Sequence, residues 1–204
     1  MSSLSAESPD TGALPVVVGI TGASGSALAS HTVDALLAER VPVIASASAA
    51  ARMVWRREAD ESFGAALERW SDSGMFEYYG PQEMTAPIAS GTFPALGMVI
   101  VPCSMATASS VAHGTSDTLI RRAADVTIKE RRPLVVVPRE SPLSVIHLEN
   151  LTKLATLGAT IIPPEPAFYL RQQSIDDVAE FAAQRTLMAL NVTSHMPERF
   201  QYRG

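Results

Sequence analysis

The chain has 204 residues, 47% of them hydrophobic and 18% charged, which suits one domain with a real hydrophobic core and excludes a disordered chain. Its net charge of −5 gives it no overall attraction for nucleic acid or an anionic membrane, and no apolar run approaches the roughly 18 residues a membrane span needs. A lone cysteine, Cys103, excludes an internal disulfide and points to a reducing, cytoplasmic setting.

Residues 1–13 carry no basic residue and no apolar core, so they read as a loose polar arm rather than a secretion signal. Pro15–Ile20 reads as a first strand, followed by a helix from Ser26 through Glu39. Val41–Ala47 reads as a second strand, with a helix from about Ser48 to Arg57. Asp60–Met84 is less regular and reads as a short helix plus a long loop. Leu96–Val101 and Leu134–Val137 are the third and fourth strands, with two helices between them that part near Gly114. Ser141 to Leu157 reads as a helix closed by Gly158, and Ala159–Ile162 as a fifth strand running into P-P-E-P. A last helix starts at Ser174, where S-I-D-D supplies a cap and first-turn acids, and runs to about Leu190. Residues 14–192 form the single domain on this reading, and 193–204 a C-terminal tail.

Strands that are solidly apolar and alternate with helices predict a three-layer, Rossmann-like (flavodoxin-like) α/β fold, a parallel sheet with helices on both faces. Ligands of such sheets bind beyond the carboxyl ends of the strands. Each predicted strand is followed by chemically suggestive residues: T-G-A-S-G, S-A-S, P-C-S-M-A-T, P-R-E-S and P-P-E-P-A-F-Y. The site is expected where those five loops meet.

The glycine turn after the first strand fits no standard nucleotide motif. Gly19, Gly22 and Gly25 are spaced three apart, which is not G-x-G-x-x-G, and the second strand ends in A-S-A-S without the acid a dinucleotide ribose needs. No lysine follows the glycines, as a P-loop requires, and no tyrosine has a lysine four residues on. What remains is a turn whose amides and Ser24 hydroxyl face a single phosphate or a flat ring, or a turn that needs glycine only for its backbone angles.

Six of the sixteen lysines and arginines fall between Arg121 and Arg139. Arg122, Asp125, Val126 and Lys129 share a helix face by spacing. Arg121, Arg131 and Arg132 read as solvated. Arg139 and Glu140 directly follow V-V-V-P, where charge is costly unless it binds something, so a small phosphorylated substrate fits better than nucleic acid. Ser104 is placed to cap the next helix and leave its amides for an anion. Cys103 follows an apolar strand and reads as packing. His147 reads as packing or pairing along its helix. The four histidines show no metal spacing, so no catalytic metal is expected.

Taken together, G-I-T-G-A-S-G, P-I-A-S-G-T-F, V-I-V-P-C-S-M-A-T, the run T-L-I-R-R through P-R-E-S-P-L, I-H-L-E-N and I-I-P-P-E-P-A-F-Y resemble the UbiX-type flavin prenyltransferases, in order from about Val16 to Leu190. The resemblance implies FMN held by Ala23, Ser24, Gly25, Ser48, the Ser104–Met105–Ala106–Thr107 turn and Arg139. It also implies dimethylallyl phosphate as second substrate, its phosphate met by Lys129, Glu140, Tyr169 and Arg185 with Arg122 nearby, some from a neighbouring subunit. Reduced flavin would take the dimethylallyl group at N5 and close a ring at C6, with phosphate as leaving group. Ser24 and Glu58 match positions that handle protons, while Glu140 and Lys129 would act on the leaving phosphate. The resemblance further implies a homo-oligomer, a dodecamer, that supplies prenylated FMN to a UbiD-type decarboxylase. Met84 stands where some members carry tryptophan, Ala106 where many carry lysine, and Phe200 where a C-terminal tryptophan occurs. A cysteine-decarboxylating relative would carry P-A-S-A-N-T, which is lacking. The other reading is an FMN-binding carrier or regulatory subunit of a decarboxylase complex.

Overall fold

A computed structural model describes residues 13–202; most of the predicted N-terminal arm lies outside them. Six parallel strands form one sheet in the order β3-β2-β1-β4-β5-β6. They are β1 (Val16–Ile20), β2 (Val43–Ala47), β3 (Phe76–Tyr78), β4 (Gly97–Cys103), β5 (Leu134–Pro138) and β6 (Thr160–Ile161). The helices are α1 (Ser26–Ala38), α2 (Ala49–Glu58), α3 (Phe63–Ser71), α4 (Met105–Ala112), α5 (Leu119–Lys129), α6 (Val145–Thr156) and α7 (Ile175–Ala189).

β1, β2, β4 and β5 are buried along their whole length, because helices cover the sheet on both faces. Val16, Val18 and Ile20 face a core built with α1, α2, α3 and α7, including Trp55, Trp70 and Leu187. Their alternates, with Ile100 and Val136, face a second core built with α4, α5 and α6. Two separate cores on opposite sides of one sheet make the predicted three layers.

The departures from expectation are local. The sheet has six strands rather than five. β3 is only three residues long, lies at the sheet edge, and falls inside the stretch expected to be irregular. Its Phe76 packs on Trp70 with tilted rings, and Trp70 and Phe63 meet Trp55 edge-on, a chain of aromatic contacts that anchors it there. α6 starts four residues later than expected, because Ser144 is its N-cap. Gly158 does follow the helix end with φ +94°, as its position required. The C-terminal segment folds back: Phe200 is buried against Phe181 of α7, with Arg199 paired to Glu180.

A candidate site at the switch between β1 and β4

The sheet reverses its building direction between β1 and β4, and a crevice opens at such a point beyond the carboxyl ends. Three loops are tied together there. The Thr21 hydroxyl donates to the Pro102 carbonyl (2.8 Å) and accepts the Ser104 amide (2.7 Å), locking the β1 loop to the β4 loop. The Arg139 amide donates to the Cys103 carbonyl (3.3 Å), and its Nε donates to the Ser24 carbonyl (3.0 Å), which brings in the β5 loop. On the other side the Ser48 amide donates to the Ile20 carbonyl (3.0 Å), and the Ser48 hydroxyl caps α2 at Ala51. Gly22 lets the turn lie directly on α2, since a Cβ there would collide with Ala50.

Glu58, at the far end of α2, reaches this turn. One of its carboxylate oxygens accepts the Gly25 amide (2.8 Å), the Ser26 amide (2.9 Å) and the Ser26 hydroxyl (3.1 Å). Burial pushes this carboxyl up, but the Ser24 hydroxyl and the Ser26 and Gly25 donors outweigh it and hold it below the ordinary glutamate value. The Gly25 and Ser26 amides at the head of α1 are therefore engaged by a protein carboxylate. The α4 N-terminus differs. The Ser104 hydroxyl accepts the Thr107 amide (3.3 Å), while the Met105 and Ala106 amides have no partner among the described residues. Arg139, bonded to Cys103 just before this helix and to Ser24, brings a positive charge to the same loops, so these amides could hold an anionic ligand group.

The remaining predicted residues fall into two further groups. Tyr169 and Arg185 line a cavity of about 750 Å³ with Phe181, His195, Phe200 and Tyr202; Tyr169 meets Tyr202 edge-on at 5.5 Å. Arg122 and Lys129 lie elsewhere. Arg122 donates to the Ala89 carbonyl (3.0 Å) and pairs with Asp125 (2.7 Å), while Lys129 pairs with Glu130 beside Gly91. Lys129 ends α5 just before β5 begins, so it lies at the amino edge of the sheet, away from Arg139 and Glu140 at the end of β5. Glu140 is exposed, its carboxylate accepting the Ser141 amide (3.1 Å). Cys103 is wholly buried and its thiol is pushed up to about 12 by burial, in keeping with a packing role. Thr21 is a site residue that sequence reading missed; its signal was a hydroxyl directly before the glycine turn.

A parallel α/β sheet with a hydroxyl- and amide-lined crevice at its switch point, closed by an arginine, defines a binder of a phosphorylated planar cofactor. The comparisons agree. A family model described as Flavoprotein matches residues 4–187. A flavin prenyltransferase, LpdB of Lactiplantibacillus plantarum, is 49% identical over 187 residues, covering 91% of this chain and 97% of that protein. The flavin prenyltransferase UbiX of Pseudomonas aeruginosa is 41% identical, covering 91% and 93%. A crystal structure of AnUbiX in complex with FMN and dimethylallyl pyrophosphate superposes with a TM-score of 0.86 at 36% identity, covering 94% of this chain and 98% of that one. A dodecameric FMN-dependent UbiX-like decarboxylase from Escherichia coli O157:H7 gives 0.85 at 35% identity, covering 94% and 100%. The chain belongs to the flavoprotein family and, within it, to the UbiX-type flavin prenyltransferases.

Proposed function

We propose that this protein joins a dimethylallyl group to N5 and C6 of reduced FMN, releasing phosphate and giving prenylated FMN. The observation that carries the reading is the convergence of Ser24, Glu58, Ser104–Thr107 and Arg139 on one crevice, with the α4 amides left free beside the arginine. A flavin phosphate fits that helix N-terminus, and its ring fits against the Ser24 turn. FMN is the acceptor substrate. Dimethylallyl phosphate is the donor on this reading. Arg139, Arg185, Tyr169 and Glu140 would meet its phosphate; the positive charge of the two arginines would neutralise what develops as the C–O bond breaks, and the Tyr169 hydroxyl would donate a hydrogen bond to it. Ser24 and Glu58, whose hydroxyl and carboxylate are close enough for the one to lower the other's pKa, would handle the proton that leaves the flavin.

Lys129 sits at the opposite end of the sheet from Arg139, and Arg122 is turned to the Ala89 carbonyl and Asp125, so on this reading their part in the site comes from a second copy. Val145, Ile146, Phe168 and Ile175 are large apolar side chains exposed in the single chain, at 70%, 67%, 86% and 81%, and a homo-oligomer, of the dodecameric kind, would cover them. The product would pass to a UbiD-type decarboxylase in the cytoplasm. No helix among the described residues is long and apolar enough to cross a membrane.

The test is to mix protein, reduced FMN and either dimethylallyl phosphate or dimethylallyl diphosphate without oxygen, then weigh the flavin. A flavin heavier by one C5 unit is expected. Folded protein that retains unmodified FMN with both donors would overturn the reading in favour of a flavin carrier or regulatory subunit.

A further inference from the structure

We propose that His147 positions the segment carrying Arg139 and Glu140, and that it does so only as the neutral imidazole. The segment 139–144 leaves the sheet at β5 and ends at the N-cap of α6. Its first residue is anchored by the Arg139 amide and guanidinium bonds already described. Its last residue, Ser144, is held by a reciprocal cap. The Ser144 hydroxyl accepts the His147 amide (3.2 Å), and the His147 Nδ1 accepts the Ser144 amide (3.2 Å). Between these anchors the Glu140 carboxylate bonds, among the described residues, its neighbour the Ser141 amide.

Such a cap normally uses glutamate or glutamine at the third helical position, whose oxygen accepts at any pH above the carboxylate range. Histidine in that place accepts only through a ring lone pair. A proton on Nδ1 removes the acceptor and sets a donor against a donor, and it places a cation at a helix N-terminus, where the macrodipole opposes it. The charged groups around His147 leave the lone pair in control. α6 carries Glu149 and Lys153, and the preceding segment carries Arg139 and Glu140. α4, packed along α6, has no charged side chain from Met105 to Ala112, and His113 follows as its C-cap; β6 has none.

The functional consequence rests on the reading above: freeing the Ser144 end lets Glu140 and Arg139 drift, which weakens donor and flavin binding more than it slows the chemistry. His147→Ala should raise the donor KM about fivefold at pH 8, the factor corresponding to one lost cap, with kcat changed less. His147→Gln restores an oxygen acceptor and should restore the KM.

Amide hydrogen exchange at Ser144, compared between proteins at equal pH, reads the cap without any turnover. Faster exchange in His147→Ala than in the wild type or His147→Gln is expected. Equal exchange in all three, or a His147→Gln protein whose donor KM is as high as that of His147→Ala, would overturn the role of His147. Faster exchange together with no prenylated flavin from any of the three would instead overturn the proposed function alone.

Discussion

Removal of the Glu58 carboxylate tests the unusual way α1 is capped. The N-cap residue is Gly25, at φ +124°, and it has no side chain to offer. Glu58 takes that part from 33 residues away, with two backbone amides and two hydroxyls on or near one carboxylate. Losing an N-cap acceptor costs about 1 kcal/mol, and losing a negative charge at a helix N-terminus about 0.3–1 kcal/mol more. Glu58 is exposed, which keeps the charge contribution at the low end. Glu58→Ala should therefore destabilise by roughly 1–2 kcal/mol, and Glu58→Gln, which keeps an acceptor, by about half as much. For a chain of this length that is a fall in melting temperature of roughly 2–8 °C for the alanine variant.

The pH dependence has a definite sign. The folded-state carboxyl lies below its ordinary value of 4.5, so its stabilisation is fully present above that pH and is lost as pH falls through the folded value. Thermal melts from pH 8 to pH 3 should show a constant gap between wild type and Glu58→Gln that closes below pH 4.5. A gap that widens on acidification, or a Glu58→Ala protein that melts with the wild type, would refute the capping argument.

Other perturbations separate the roles of neighbouring residues. Arg139→Ala loses the guanidinium held on the Ser24 carbonyl beside the free α4 amides, so flavin affinity read by fluorescence titration should weaken about 10- to 100-fold; an unchanged Kd would remove Arg139 from the flavin site. Cys103→Ala should keep prenylated-flavin formation within about twofold, and iodoacetamide should label the native thiol only after unfolding, since it is fully buried with its pKa near 12. Lys129→Ala and Glu140→Gln should each abolish turnover alone, but unfolding and refolding them together at equal amounts should recover about a quarter of the sites if the two residues come from different protomers. Recovery of none would place both in one chain's site and contradict their separation across the sheet.

Much of the fold was legible because its strands are buried on both faces. V-V-V-G-I, G-M-V-I-V-P-C and L-V-V-V-P are short, rich in β-branched residues and bounded by turn formers, which reads as interior strands, with helical stretches between them. β3 was not legible. Three residues, F-E-Y, carry no period, and what pairs them to β2 is the aromatic stack of Trp55, Phe63, Trp70 and Phe76, drawn from three elements. The start of α6 was misread for a related reason. S-P-L-S offers two serines three residues apart, and only the reciprocal contact with His147 selects Ser144.

The site was legible as a set of loops but not as a division of labour. Glycines spaced three apart left an anion cradle open at α1, yet the Gly25 and Ser26 amides there hold Glu58, while the amides behind Ser104 at α4, which the sequence also offered to an anion, stay free. The distinction is electrostatic: a carboxylate already at the head of α1 repels a phosphate there, and the unshielded head of α4 next to Arg139 attracts one. The basic run from Arg121 to Arg139 likewise looks like one cluster in sequence. α5 runs antiparallel to the strands it joins, so Lys129 and Arg139 emerge at opposite edges of the sheet although ten residues separate them. A charge cluster in sequence is split in space by the direction of one helix, and on the proposed function only packing of one chain against another would bring its two parts to one phosphate.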